Sequence, residues 1–262
     1  MLPRPKKRFG QHFLTDRHYL ARIVAAIAPR PDDPMVEIGP GTGLLTEELV
    51  RVVRHLHVVE IDRELAAALR GRFPADKVTV HEADALEFDF ATLPPGLRVV
   101  GNLPYNVSTP ILFRIASVAG RIADCTFMLQ KEVVDRMVAR PATADYGRLS
   151  VMLQYRFEMH GMLRVPPGAF TPPPKVDSAV VRMEPLGAAR RRARDEELFA
   201  RLVAAAFSQR RKTLRNALRA LAGESAFAAA GIDPVRRGET LSVDEFIALA
   251  DSAGAQSSLQ SA

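Results

Sequence analysis

Several features common in other protein classes are missing from this chain of 262 residues. It has one cysteine, Cys125, which excludes an internal disulfide. No apolar run approaches the length of a membrane-spanning helix, and no hydrophobic segment follows the basic start at residues 1–8. Internal repeats and the residue spacings of metal sites are lacking too. These absences predict a soluble, cytoplasmic protein with no bound metal and no membrane partner.

What the chain does have is enough apolar sequence for a large core and an uneven distribution of charge. Hydrophobic residues make up 47% of it, which suits one large domain with a small appendage. Residues 1–22 carry six Lys/Arg against one Asp, and residues 186–222 carry ten against three acids, although the net charge is only +6. Two basic ends therefore flank an acidic middle. This pattern permits an anionic partner, while an ordinary solubility function remains the alternative.

A glycine-rich turn near residue 40 indicates a binding site for a nucleoside cofactor. An apolar strand from Met35 leads into Gly39-Pro40-Gly41-Thr42-Gly43. Leu44 stands where a dinucleotide fingerprint would place Gly or Ala, which disfavours NAD. The next predicted strand ends on Glu60, whose carboxylate suits two ribose hydroxyls. Each feature alone is common, but together at this spacing they predict a nucleoside cofactor.

Strand and helix signals alternate as far as residue 138, which predicts a Rossmann-like α/β fold with a parallel sheet between two helix layers. Ligands of such sheets bind at the carboxyl ends of the strands. Gly39, Glu60, Asp84 and Asn102 each follow a predicted strand, so one cleft can collect all four. Asp84 has two interpretations, an acceptor for an adenine amino group or the cap of the next turn.

The turn Asn102-Leu103-Pro104-Tyr105 is where we expect the chemistry. An aromatic amine is a weak nucleophile, so hydrogen-bond acceptors set against its N–H groups help to activate it. The side-chain oxygen of Asn102 and the carbonyl of Leu103 are candidate acceptors. Pro104 brings no competing N–H, and Tyr105 offers a flat face for a base. By itself, the sequence of this turn is equally compatible with an ordinary turn in which Asn and Pro only end the strand.

A proline-rich stretch, residues 165–175, predicts a stiff loop that presents Phe170 and Lys175. Phe170 could be a second stacking face and Lys175 a phosphate contact. For Phe170 considered alone, packing into the core is the preferred interpretation, and only its pairing with Tyr105 favours stacking. Arg148 opens a helix predicted to reach Phe157, and it suits a phosphate unless it is merely a helix entry.

Beyond Pro185 the composition changes, so we predict a domain boundary there, with domains at residues 1–186 and 187–262. The second domain is predicted to be helical and to contact RNA. Arg211, Arg215 and Arg219 recur every four residues, which predicts one basic helix face opposite Leu214, Leu218 and Leu221; Lys212 belongs to the same basic run and is a further predicted RNA contact. A solvated surface is the alternative. Residues 251–262 are predicted to be a frayed tail.

Six stretches together resemble the bacterial KsgA family of small-subunit (16S) rRNA adenine dimethyltransferases: FGQHFL, EIGPGTG, GNLPYN, FMLQKE, FTPPPKV and QRRK. The likeness covers nearly the whole chain. It implies a class I S-adenosylmethionine-dependent methyltransferase that dimethylates N6 of two adjacent adenines in the 3′-terminal hairpin of 16S rRNA, within the immature 30S subunit. Such an enzyme is expected to be a monomer.

The resemblance also implies roles for single residues. The implied cofactor contacts are His12, Leu14, Gly39, Gly41, Glu60, Asp84 and Asn102. The implied target-adenine site is Asn102, Leu103, Pro104, Tyr105 and Phe170. The family more often has Asn where this chain has His12. Two alternatives stay open: a large-subunit rRNA adenine dimethyltransferase that confers antibiotic resistance, and a 30S assembly factor whose methylation is secondary.

Overall fold

The computed structural model describes residues 11–187, 190–209 and 211–260, with side chains up to residue 255. The basic start of the chain, residues 1–10, and Arg210 of the QRRK stretch lie outside this part. Nine strands occur in it: β1 Phe13–Leu14, β2 Met35–Ile38, β3 Leu56–Glu60, β4 Val78–Glu82, β5 Leu97–Asn102, β6 Ile122–Gln130, β7 Phe157–Val165, β8 Phe170–Thr171 and β9 Ser178–Pro185. Ten α-helices accompany them: α1 Arg17–Ile27, α2 Leu44–Leu49, α3 Arg63–Arg72, α4 Ser108–Ser117, α5 Lys131–Val138, α6 Arg148–Gln154, α7 Glu196–Ser208, α8 Leu214–Ala217, α9 Glu224–Ala230 and α10 Val243–Gln260.

Seven strands form the central sheet, in the order β4-β3-β2-β5-β6-β9-β7. Strands β2 to β6 pair in parallel, and β9 runs antiparallel to β6. The chain adds strands on one side of β2 first and then continues from β5 on the other, so the strand order reverses between β2 and β5. Ligands of open α/β sheets bind at such a reversal. The predicted α/β fold class is therefore confirmed.

Local sequence explains how these elements begin and which faces they bury. Asp16 starts α1 by accepting hydrogen bonds from the backbone N–H groups of the next turn. Leu20, Ile23 and Ile27 recur at helical spacing and are buried. All four residues of β2 are buried, as expected of a central strand covered on both faces.

The chain divides into two compact units, and the division differs from the predicted domains. Residues 11–134 and 158–185 form the first unit, and residues 135–157 and 186–260 form the second. A unit boundary falls at Pro185, close to the predicted position, but residues 135–157 group with the C-terminal unit. The second unit has its own core, which includes Tyr146, Phe199, Phe227 and Phe246. The hydroxyl of Tyr146 donates a hydrogen bond to the carbonyl of Leu241, 95 residues away in the sequence. Local sequence patterns cannot predict such a long-range contact.

Two sequence predictions about elements, at residues 148–157 and 251–262, are wrong. The helix that begins at Arg148 ends at Gln154, and Phe157 begins β7. Sequence patterning missed this strand because its buried residues lie at its ends. Asp251 belongs to α10 and not to a frayed tail; it accepts hydrogen bonds from the backbone N–H of Arg194 and from the Arg191 side chain.

The continuous basic helix predicted through Arg211, Arg215 and Arg219 does not form. Helix α7 ends at Ser208, and α8 spans only Leu214–Ala217. The reason is tertiary: the backbone N–H groups of Leu214 and Arg215 donate to the carbonyls of Arg236 and Pro234, outside the helix.

Within the described residues, no helix is both long and apolar enough to cross a membrane.

Candidate active site

A cleft lies at the carboxyl ends of β2, β3, β4 and β5, in the first unit. It collects the four predicted strand-end residues, Gly39, Glu60, Asp84 and Asn102. Six other predicted residues also line it: His12, Leu14, Gly41, Leu103, Pro104 and Tyr105. The sheet topology therefore brings together ten residues from five separate segments of the chain, as the strand-end argument predicts.

The glycine-rich turn forms the wall of this cleft after β2. Gly39, Gly41 and Gly43 have φ values of +66°, +58° and +78°, a region that disfavours side chains. A Cβ on Gly41 would also lie 3.0 Å from the ring of Phe13. The turn thus needs glycine for its backbone conformation and for its close approach to the N-terminal segment.

Glu60 is 4% exposed and its two oxygens hold two backbone segments. One oxygen accepts from the N–H of Gly41 at 3.1 Å, and the other accepts from the N–H of Asp62 at 2.9 Å. Burial raises the pKa of the Glu60 carboxyl, and these N–H groups oppose that rise. Since each carboxylate oxygen can accept more than one hydrogen bond, Glu60 can fix the turn and still bind hydroxyls.

Asp84 has the predicted capping role in this structure and also lies in the cleft. Its side-chain oxygen Oδ1 accepts from the N–H of Leu86 at 2.9 Å, which caps the turn after β4. The residue also lines the cleft. The cap orients the carboxylate, so the structural role and a ligand contact are compatible.

Sequence reasoning assigned no role to Glu37, which lies in β2 and lines the cleft. It is 2% exposed and accepts a hydrogen bond of 2.6 Å from the hydroxyl of Thr46. Burial raises the pKa of the Glu37 carboxyl to about 8; the Thr46 bond opposes the rise and the charge of Glu60 adds to it. Burial thus favours the uncharged form of Glu37. The sequence signal that could have identified Glu37 is an acidic residue inside the otherwise apolar strand β2.

Asn102 is oriented by the N-terminal segment. Its side-chain N–H donates to the backbone carbonyl of His12 at 2.9 Å. Because a carbonyl can only accept, this bond fixes the orientation of the amide and makes Oδ1 the atom that Asn102 offers as an acceptor. The side chain of Leu103 is buried, and the backbone N–H of Leu103 donates to the carbonyl of Met128. The backbone carbonyl is therefore the group that Leu103 can offer to a ligand in the cleft.

Tyr105 carries the flat face predicted for a base, and its partner ring is His12. Its hydroxyl shares a 2.5 Å hydrogen bond with the hydroxyl of Ser178, and burial raises its pKa. The rings of His12 and Tyr105 are stacked, with centroids 5.4 Å apart and planes inclined by 27°.

Phe170, which was predicted as a second stacking face, is packed into the core in this structure, and its role at the base remains a prediction. It is 3% exposed, belongs to the core cluster with Leu14 and Val180, and does not line the cleft. The physical reason is the pairing of β8 with β1, which places Phe170 opposite Leu14. The core-packing alternative is the one that this structure contains.

The predicted phosphate contacts lie outside the lining of the cleft. Arg148, Lys175, Arg211, Lys212 and Arg215 are all exposed. Arg215 forms a 2.7 Å ion pair with Glu224. Of the charged run that follows Pro185, Arg190, Arg191 and Arg192 pair with Asp244, Asp251 and Glu196. Part of the local excess of positive charge is therefore neutralised within the second unit.

Comparison with known proteins agrees with this geometry. A family model described as "Ribosomal RNA adenine dimethylase" matches residues 3–254. A relative from Aromatoleum aromaticum, named "Ribosomal RNA small subunit methyltransferase A", is 59% identical over 97% of this chain and 96% of its own length. A relative of the same name from Neisseria meningitidis is 52% identical over 94% and 95%.

Two solved structures share the architecture. The 23S rRNA methyltransferase ErmE is 29% identical, with a TM-score of 0.70 over 92% of this chain and 99% of its own. A dimethyladenosine transferase from Plasmodium falciparum, at 24% identity, has a TM-score of 0.77 over 91% and 96%, which shows the fold. The fold and the cleft define a class I S-adenosylmethionine-dependent methyltransferase. Within that class, the chain belongs to the ribosomal RNA adenine dimethylase family.

Proposed function

We propose that this enzyme transfers methyl groups from S-adenosylmethionine to N6 of two adjacent adenines in the 3′-terminal hairpin of 16S rRNA, during 30S biogenesis in the cytoplasm. The observation that carries the proposal is the oriented amide of Asn102 beside the ring of Tyr105, in the same cleft as two strand-end carboxylates. The small-subunit relatives support the choice of RNA.

The residues that would hold the cofactor fit its chemistry. Glu60 and Asp84 follow adjacent strands and suit ribose hydroxyls and an adenine amino group, and Gly39 and Gly41 let the backbone approach closely. We assign His12, Leu14 and Asn102 to the same group of cofactor-binding residues. When bound, S-adenosylmethionine supplies an electrophilic methyl group on a sulfonium.

The chain's contribution to the transfer is to orient the adenine amine. Oδ1 of Asn102 and the carbonyl of Leu103 accept its two N–H groups, while Pro104 adds no competing donor. Tyr105 holds the base by its flat face after the base leaves its stack. No dedicated base is required, because the amine becomes acidic once it is alkylated. After one transfer a single N–H remains, so one acceptor loses its partner.

RNA phosphates would be held by exposed cations on both units. We assign Arg148, Lys175, Arg211, Lys212 and Arg215 to this role, each exposed to solvent. The ion pair of Arg215 with Glu224 reduces the charge it can offer, so Arg211 and Lys212 are the stronger candidates of the C-terminal group.

A large-subunit target is the nearest alternative. It is disfavoured because relatives named for the small subunit are 51–59% identical to this chain, whereas ErmE is 29% identical. An assembly factor with secondary methylation makes a different prediction: a catalytically inactive variant would still support subunit maturation.

The proposal is tested by mapping tritiated methyl groups on 30S and 50S particles by mass spectrometry. We expect label on adenine N6 of 16S rRNA in immature 30S particles. Label confined to 23S rRNA would contradict the small-subunit assignment, and a protein that sediments as a stable dimer would contradict the expected monomer.

A further inference from the structure

The stacked pair of His12 and Tyr105 leaves no room for a base between the two rings. Their centroids are 5.4 Å apart. A ring inserted between two others needs about 7 Å, twice the ~3.5 Å contact distance between carbon atoms. A base that uses this face of Tyr105 must therefore displace one ring.

His12 is the ring that is held more weakly. Tyr105 is anchored through its hydroxyl to the fully buried Ser178, at the start of β9. Within the described part of the chain, the side chain of His12 makes one hydrogen bond, between Nδ1 and the carbonyl of Pro172 at 2.9 Å, in an exposed position. Solvent can replace that bond when the ring turns away.

Displacing the His12 ring does not require its backbone to move. Its carbonyl accepts from Asn102, and rotation about the Cα–Cβ bond moves the imidazole without moving that carbonyl. The amide of Asn102 thus stays oriented while the face of Tyr105 opens. One residue positions the acceptor through its backbone and covers the stacking face through its side chain.

We propose that His12 is a removable cover on the face of Tyr105 and that it lowers the affinity of the site for an entering base. The inference rests on the proposed function, since it assumes that the target base stacks on Tyr105. The cover competes with the entering base. Each base must first displace the imidazole, so the cover weakens the binding of purines and pyrimidines by the same factor, while the preference for a purine comes from its larger stacking surface on Tyr105.

Removal of the cover should strengthen binding, which distinguishes it from a clamp. The probes are a short single-stranded oligouridine with one central adenine and the same oligomer without it, and binding is followed by fluorescence anisotropy at fixed salt. For His12→Ala we expect about threefold to tenfold tighter binding of both oligomers, with the preference for the adenine oligomer unchanged. For His12→Phe, whose larger ring stacks better on Tyr105, we expect weaker binding of the adenine oligomer.

Three controls separate this inference from the rest. His12 is also assigned to the cofactor group, so calorimetry with S-adenosylmethionine measures any loss of cofactor affinity in His12→Ala separately; oligomer binding that stays at the wild-type level in this variant overturns the cover. Weaker adenine binding by His12→Ala would make His12 a clamp and also overturn it. Tyr105→Ala should abolish the adenine preference; if it does not, the base site is elsewhere and the proposed function fails instead.

Discussion

The two ends of the cleft are built in different ways. At the end that we assign to the cofactor, here called the cofactor end, Gly39, Glu60 and Asp84 come from consecutive strand-to-helix turns of one parallel sheet. At the base end, His12, Asn102, Tyr105 and Ser178 come from segments far apart in the chain and meet through side-chain contacts.

The difference shows what each end depends on. The cofactor end is held by backbone hydrogen bonds, for instance those that Glu60 accepts from Gly41 and Asp62. The base end is held by an amide, two hydroxyls and a ring stack, each of which a single substitution removes. If this comparison is right, substitutions at one end should leave the other end's binding step unchanged.

The largest effect is expected for Phe170→Ala, which tests whether Phe170 belongs to the base end at all. Because its ring is buried in the core, its loss should cost about 3 to 5 kcal/mol of unfolding free energy and lower Tm by on the order of 10 °C. Thermal unfolding measures this. Phe170→Leu is the matched control and should keep both Tm and methylation rate; a normal Tm with a lost rate would return Phe170 to the stacking site.

Asn102→Ala should act mainly at the base end. Loss of an oriented acceptor should lower the single-turnover methylation rate at saturating S-adenosylmethionine by about 100-fold or more, with binding of 30S particles nearly unchanged. Asn102→Asp should retain more activity than alanine but less than wild type, since it sets an oxygen against the His12 carbonyl. Asn216→Ala, at an exposed position in α8, is the control. A wild-type rate for Asn102→Ala would show that this turn is not the catalytic site.

Glu60→Ala should break the cofactor end alone. Loss of charge-assisted hydrogen bonds to hydroxyls and to the glycine-rich turn should weaken S-adenosylmethionine binding by about 2 kcal/mol, roughly thirtyfold. Calorimetry measures this, and oligonucleotide affinity should stay the same. Glu87→Ala removes an exposed acid on the turn after β4 and serves as the control. Unchanged cofactor affinity in a folded Glu60→Ala protein is the result that contradicts the assignment.

The smallest effect is expected for the double variant Arg211→Ala and Lys212→Ala, which lies outside both ends. It should lower the slope of log K for RNA against log salt by about one unit for each phosphate that the variant no longer binds, with cofactor affinity unchanged. Arg191→Ala is the control, because the charge of Arg191 is paired with Asp251. Equal slopes for the double variant and wild type would make this region an ordinary solvated surface.

Sequence patterning predicted the elements and residues that depend on local order. Apolar runs located the central strands, and the turns that follow them placed Gly39, Glu60, Asp84 and Asn102 in one cleft. The edge strand β7 escaped because both of its faces carry exposed residues over most of its length. An alternating pattern cannot arise where neither face is buried.

Interactions between distant segments account for the remaining differences. The burial of Phe170 follows from the pairing of β1 with β8, and no local pattern encodes that pairing. The basic character of residues 190–192 was overestimated because Asp244 and Asp251, which pair with Arg190 and Arg191, lie more than 50 residues away. A count of charges within a window omits such partners.

The close approach of β5 to β2 at Gly101 fixes the distance between the two turns that follow these strands. A Cβ on Gly101 would lie 2.4 Å from the carbonyl oxygen of Ile38, so no side chain can separate these strands. The turn that begins at Gly39 and the turn that begins at Asn102 leave the sheet one strand spacing apart, roughly 4.8 Å. In the proposed reaction, the backbone of these two strands would therefore set the spacing between the turn assigned to the methyl donor and the turn assigned to the acceptor.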